Sequence, residues 1–493
     1  MQAKAEQLGE RSESARATKV ALGGLRATLA ACALKAAGVF VGRRLTAAFA
    51  EMQRAQWLSA DALQARAETR LAHLLRHAAE QVPFYREHCR ARGITAQELR
   101  SVADLARLPL VNKAFYRAHE AAAFEAENLP AFRRLDKTTS GSTGEPFRFS
   151  VDRAALPVIF ASHLFYDSWF GLRPFERYVR IMAPPAAAAT LPEETPAAFR
   201  LKQAVIARLQ RFYEARTQRK LWLWEVSAER AAALWRELED FKPSFVLGYT
   251  STLAALCDEW QRRGLRLSRP VRGVMTIAET LTPARRKLIA DYFQAPIINR
   301  YGLREFGSWS AQSCAAAPEH FHVNTELVIC EVLRADGSPC SPGETGRVVL
   351  TDLWNEVRPF IRYETGDLAV AASGRCACGR GFPLLGAIEG RSLETLRTPA
   401  GRELNPVTLG HFLFVYHRHE GAVRQYQLVQ EAPDCVRLLV VPDAGWDEAR
   451  CAQVQTQLAE LLGAEMQVSV EAVTQIAPEP SGKRPIIKLQ LGA

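Results

Sequence analysis

Thr138-Thr139-Ser140-Gly141-Ser142-Thr143-Gly144-Glu145-Pro146 places two glycines and five hydroxyl side chains within residues 138–144. Glycine lets a backbone turn sharply and approach a ligand closely. Successive N–H groups in such a turn form a nest for an anion, and hydroxyls add uncharged donors. No acid intervenes before Glu145, so a phosphate chain is the natural guest. The stretch is not a Walker loop, because no Gly-Lys-Ser/Thr closes it. Flexible linkers share this composition, so the reading depends on the rest of the chain.

The chain has 493 residues, 48% hydrophobic and 24% charged. That is ordinary for a soluble globular protein of two to four domains. Ten cysteines without a dense framework suggest a reducing compartment, hence the cytoplasm. No run approaches the ~18 uncharged apolar residues of a spanning helix. The net charge of +10 is diffuse and shows no nucleic-acid module; it suits small anionic substrates or an acidic membrane surface.

Residues 14–50 lack acids but carry Arg16, Lys19, Arg26, Lys35, Arg43 and Arg44 among apolar residues. A basic amphipathic helix packs on the body of the protein, the commoner fate, or lies peripherally on an anionic membrane. Residues 61–92 read as helices. Residues 154–170 read as one helix rich in aromatics. Ala183–Pro196 reads as a surface loop. Helices then alternate with short strands at Arg177–Met182, Ser244–Leu247, Gly273–Ile277 and Ile297–Asn299, which predicts α/β layers. Thr325–Leu368 reads as β-rich, with Gly/Pro turns. Beyond Arg391, strands at Val423–Val429, Cys435–Val441 and Met466–Val473 flank a helix at Trp446–Leu462. The expected architecture is a basic extension over 1–60 and a large α/β domain of mixed sheets over 61–390, with a β-rich subdomain. A small mobile α+β domain over 391–493 completes it.

Six short stretches occur in fixed order: Thr138–Pro146; Ile277-Ala278-Glu279; Tyr301-Gly302-Leu303-Arg304-Glu305-Phe306-Gly307; Arg362-Tyr363-Glu364-Thr365-Gly366-Asp367; Gly390-Arg391; and Ser481-Gly482-Lys483. The series resembles the adenylate-forming enzymes, which include the acyl-CoA synthetases. Val82–Arg86, Leu105–Lys113 and the cysteine insert are similar to its phenylacetate–CoA ligase branch, with the CapK-like polysaccharide members. The resemblance implies that ATP and a carboxylic acid form an acyl adenylate, which a thiol then attacks. By the same resemblance Thr139, Ser140, Gly141, Ser142, Thr143 and Gly144 would hold the β/γ-phosphates, and Glu305 would bind Mg²⁺. Asp367 would accept from the ribose hydroxyls, and Arg391 would contact the nucleotide near a hinge at 390–392. Lys483 would be the catalytic lysine at the α-phosphate. Tyr301 and Gly302 would line the adenine and acyl sites, and Glu279 would belong to the ATP site. Phe160, His163, Phe165, Tyr166, Gly248, Tyr249 and Ala278 are candidates for an acyl pocket. For the four on the aromatic helix, plain core is the competing reading.

Cys314, Cys376 and Cys378 with His322 offer three thiolates and an imidazole, a closed set suited to structural Zn²⁺. His320 is the rival ligand, and reduced structural cysteines are the simpler reading. Three positions depart from the family pattern: Glu145 where relatives carry Lys, Glu364 where Arg is frequent, and Ser392-Leu393-Glu394 where Asp-Asp is frequent. The expectation is a ligase activating an aryl or otherwise hydrophobic acid for transfer to coenzyme A. The alternatives are transfer to a carrier-protein thiol, an amine or a hydroxyl, and a nucleotide-binding scaffold without catalysis.

Overall fold

The structure is a computed structural model. It describes residues 43–138, 147–173, 176–182, parts of 200–212, 214–223, 228–307, 309–388, 396–400, 403–404, 422–442, 445–477 and 487–490. The stretch 139–146, the loop expected at 183–196, Arg391 with the expected hinge, and Lys483 lie outside the described residues.

A ribbon of β1 (Arg134–Thr138) and β2 (Arg148–Asp152) comes first. An 11-stranded sheet follows. Its parallel half holds β3 (Tyr178–Met182), β4 (Gln218–Trp222), β5 (Phe245–Tyr249), β6 (Gly273–Ile277) and β7 (Ile297–Gly302), in the order β4-β3-β5-β6-β7. Every residue of β5 and β6 is buried, as expected of parallel strands covered on both faces. Gly273 has to be glycine, because a Cβ there would fall 1.9 Å from the Phe170 ring. The helices Ala228–Phe241, Thr250–Arg262 and Pro283–Phe293 alternate with these strands. Thr282 caps the last of them, and Pro283 opens it, a favoured start.

At β7 the sheet changes character. β8 (Trp309–Cys314), β9 (Ala317–Val323), β10 (Val328–Leu333), β11 (Thr345–Asp352), β12 (Tyr363–Ala371) and β13 (Leu384–Ile388) continue it antiparallel, in the order β8-β9-β13-β12-β11-β10. The β-rich stretch Thr325–Leu368 is thus continuous with the α/β layers. Leu105–Lys113 is stitched to the start of β12: Val111 N–H donates to Arg362 O at 3.1 Å, and Glu364 N–H donates to Val111 O at 2.8 Å.

The first described helix, Arg43–Ala55, turns Leu45, Ala48, Met52 and Ala55 inward. They join the same core cluster as Phe165 and Phe382. This part of the basic stretch is packed on the body. Among the described residues no helix is long and apolar enough to cross a membrane.

The carboxy-terminal unit has its own core. After a short ladder of β14 (Leu396–Arg397) and β15 (Glu403–Leu404), β16 (Val423–Ala432) pairs antiparallel with β17 (Cys435–Pro442). The helix Glu448–Leu462 crosses to β18 (Gln467–Ala472), parallel to β17, and β19 (Ile487–Leu489) lies parallel to β16. Asp447 caps that helix by accepting from Arg450 N–H at 2.7 Å.

Candidate active site

Three adjacent parallel strands end side by side. Tyr249 closes β5 opposite Ile277 of β6, and Ile277 lies opposite Arg300 of β7. Gly248, Tyr249, Ala278, Glu279, Tyr301 and Gly302 are therefore neighbours along one carboxyl edge. Ligands of open α/β sheets bind at such an edge. Ala278 takes φ 68° there, a strained conformation for a residue with a Cβ and a frequent mark of functional turns. A Cβ on Gly248 would meet Ile181 O at 2.8 Å, so close packing demands that glycine. Glu279 has Arg285 at 3.9 Å, and its carbonyl accepts from Thr250 Oγ1 at 3.3 Å.

Glu305 lies in the turn after β7 and is 3% exposed. Its Oε1 accepts from Tyr363 Oη at 3.0 Å and lies 3.0 Å from Lys113 Nζ. Burial alone pushes its carboxyl up, but Lys113 beside it outweighs that and holds it below the ordinary value. It is therefore an anion at neutral pH. Lys113 opens the short helix Lys113–Arg117, which Asn112 caps by accepting from Phe115 N–H at 2.9 Å. The sequence marked Lys113 only as part of a branch-like stretch. The cap-then-lysine pattern was visible, but its carboxylate partner was not.

Tyr301 Oη donates to Asp367 Oδ2 at 2.9 Å. Burial, and then the Asp367 carboxylate, push the phenol well above its ordinary value, so the O–H stays available as a donor. Asp367 N–H donates to Thr365 Oγ1 at 3.0 Å, within the irregular stretch of β12 where Gly366 takes φ 82°. Glu364 lies 3.0 Å from Arg347 Nη1 on β11; its departure from the Arg pattern has a partner in the sheet.

The aromatic helix Leu156–Trp169 divides its candidates. Phe165 and Tyr166 are fully buried. Phe165 packs edge-on to Phe382, and Tyr166 Oη donates to His322 O at 3.1 Å. Phe160 is 42% exposed on the other side of the helix, where His163 faces Phe160 and Trp309. Burial, with Arg300 and Arg180 nearby, pushes the His163 imidazole down to about 4, so it is neutral at pH 7. Arg300, buried at the end of β7, lies 2.7 Å from Asp167 on the same helix. This pair, absent from the sequence reading, locks the helix to the sheet edge.

The four proposed zinc ligands come together. Cys314, His322, Cys376 and Cys378 present donor atoms all within 4.8 Å of one another. The β8–β9 hairpin brings in Cys314 and His322, and the turn before β13 brings in the two other cysteines. Cys314 Sγ is 3.6 Å from Cys376 Sγ, and Cys378 Sγ is 3.5 Å from His322 Nε2. Two thiolates at 2.3 Å from a tetrahedral ion would be about 3.8 Å apart, so the donor set fits zinc. Burial, with Arg380 next, pushes His322 down to about 4, leaving a neutral ring that can ligate. His320, the rival, is exposed on β9.

Residues 398–490 match the family model described as the CapK C-terminal domain. The phenylacetate-coenzyme A ligase of Thermus thermophilus is 28% identical over 346 residues, spanning 69% of this chain and 72% of that protein. The enzyme of the same name from Escherichia coli is 26% identical over 69% of this chain and 73% of its own. Among solved structures, 2-hydroxyisobutyryl-CoA ligase with 2-HIB-AMP and CoA aligns with TM-score 0.59 at 21% identity, covering 89% of this chain and 92% of that one. The fold is that of the adenylate-forming CoA ligases. Over about two thirds of its length the chain is similar to phenylacetate-coenzyme A ligases, and residues 398–490 are similar to the CapK C-terminal domain.

Proposed function

We propose that this chain is an ATP-dependent ligase that converts a carboxylic acid to its acyl adenylate and transfers the acyl group to the thiol of coenzyme A. The observation that carries the reading is the convergence of separate motifs. Lys113, Glu305 and Tyr363 meet at one carboxylate, and Tyr301 meets Asp367, at the edge where β5, β6 and β7 end. The similarity to phenylacetate-coenzyme A ligases supports it.

In this reading the acid's carboxylate attacks the α-phosphorus of ATP and pyrophosphate leaves. Asp367, positioned by Tyr301, accepts from the ribose hydroxyls. Thr139, Ser140, Gly141, Ser142, Thr143 and Gly144 hold the phosphates, with Arg391 and Glu279 near the nucleotide. Lys483 neutralises charge developing at the α-phosphate, the kind of contact that accelerates a reaction. Glu305 is the oxygen ligand suited to Mg²⁺, which would screen the phosphate charge. Phe160, His163, Tyr249 and Ala278 face the acyl group. Cys314, His322, Cys376 and Cys378 hold a structural zinc. The domains divide at 390–392. Residues 14–42 supply weak, salt-sensitive contact with an anionic membrane, through basic side chains worth on the order of 1 kcal/mol each near such a surface.

The experiment is pyrophosphate exchange with a panel of acids, followed by a thioester assay with coenzyme A. Lys483→Ala should lower exchange by about 10²–10³ while ATP still binds. Exchange by wild type with no acid, or full exchange by the variant, overturns the assignment. Exchange without thioester would move the acceptor to a carrier-protein thiol or another nucleophile.

A further inference from the structure

Lys137 faces inward. In the β1–β2 ribbon it pairs with Phe149, as Leu135 pairs with Val151. Directly opposed residues share a face, and Phe149 and Val151 are 2% and 1% exposed. The lysine is thus on the core side of the ribbon and is itself half-buried. Its Nζ lies 3.7 Å from where a Cβ on Gly307 would stand, and Ile159 Cδ1 lies 3.4 Å from the same point.

Among the described residues no carboxylate pairs with Lys137; the charges that reach it are the guanidinium groups of Arg304 and Arg153. An ammonium drawn from water beside two like charges is costly unless an anion compensates it. The surroundings belong to the acyl side of the site. Ile159 precedes Phe160 on the aromatic helix, His163 bonds the Gly307 backbone, and Arg304 feels Tyr249. An apolar wall beside a cationic corner suits an acid with a carbon body and a charged far end.

We propose that Lys137, backed by Arg304 and Arg153, makes the acid pocket selective for acids carrying a second anionic group besides the carboxylate that is activated. This rests on the adenylation reading above and narrows its substrate class. ATP's triphosphate is the other anion that could meet these cations, and the test separates the two.

Matched probes are phenylacetate with 1,4-phenylenediacetate, and hexanoate with adipate. Each pair is compared by pyrophosphate exchange and, without turnover, by calorimetric titration of the full chain. Wild type should favour the diacid of at least one pair by about tenfold, the order expected of one charge-assisted contact. Lys137→Met should erase that preference, Lys137→Arg should keep most of it, and the Kd for Mg-ATP should stay the same in both. Wild-type preference for the monoacid in both pairs overturns the proposal, whatever the variants do. So does a diacid preference that survives in Lys137→Met, or a weakened Mg-ATP Kd with acid preference intact, which would give the cluster to the triphosphate. Diacid-selective titration that Lys137→Met abolishes, with no exchange on any acid, would retain the pocket and reject adenylation.

Discussion

Tyr301 is a single hydroxyl acting on a single carboxylate. Its bond to Asp367 helps to orient that acceptor. A hydrogen bond to a charged group contributes about 1.5–3 kcal/mol. Tyr301→Phe should therefore raise the KM for ATP by about tenfold or more, with a smaller effect on the KM for the acid. Steady-state kinetics at saturating acid checks this; an unchanged KM for ATP would detach Tyr301 from the nucleotide. A second residue acts through pH. Asp352, on β11, is buried, which pushes its carboxyl up to about 7 against the bonds from Trp354 and Asn355 N–H. A raised folded pKa means that stability is fully present below the unfolded value of about 3.9. It is then lost as pH rises through 7. Asp352→Asn removes the charge and keeps an acceptor. Its melting-temperature advantage over wild type should be absent near pH 4, grow through neutrality and level off above pH 8. A pH-independent difference would contradict the burial argument. The resemblance marked Tyr301 as lining the adenine and acyl sites but not its carboxylate partner, and it did not mark Asp352: a tyrosine in a Tyr-Gly pair and an aspartate before Leu-Trp have no visible partners until the sheet forms.

At the scale of the element, the cysteine cluster joins the β8–β9 hairpin to the turn that leads into β13. The spacing Cys-x-Cys was legible, and so was the approach of Cys314 to His322 in sequence. What the chain could not choose was the histidine. Position along β9 decides it: the strand runs from an exposed start into the core, so His322 is buried while His320, two residues earlier on the same face, is exposed. Reduced protein should carry about one zinc per chain, measured by metal analysis. Cys376→Ser should lose the metal and lower the melting temperature, since metal binding is coupled to folding. Exchange activity per folded molecule should change little. A metal-free wild-type protein with the same melting temperature after chelation would remove the zinc. On the aromatic helix it is the face that decides. Periodicity identified it, yet Phe165 and Tyr166 join the core while His163 meets Trp309, a division set by what packs on each side.

At the scale of the molecule, two rigid-body questions remain measurable. The helix Arg43–Ala55 contributes Leu45 and Met52 to the main core, and losing a buried leucine typically costs about 2–5 kcal/mol. A chain beginning at Arg43 should keep the full-length melting temperature, while one beginning at Glu51 should fall below it. Only the full-length chain should co-sediment with anionic vesicles at low salt and release at high salt. Equal binding by the chain from Arg43 would place membrane contact elsewhere. The proposed hinge is tested by Leu393→Pro, which restricts the backbone at one point. Thioester formation should fall further than adenylation, because one arrangement of the small domain cannot serve both half-reactions. Equal loss in both would argue against rotation there.

By itself the sequence determined the alternation of strands and helices, the change of texture near 391 and the ordered motifs that resemble those of the adenylate-forming enzymes. All of these are local: apolar runs of strand length, Gly/Pro punctuation and short spacings survive without knowledge of the fold. Only the tertiary structure decided which distant groups meet. The stitch between Val111 and Arg362–Glu364 carries Lys113 to Glu305 across nearly 200 residues. The parallel order β5-β6-β7 sets Tyr249, Ala278 and Tyr301 on one edge. The ribbon register turns Lys137 inward. Such pairings depend on strand order and side-chain face, and a shift of one residue along a strand reverses every face.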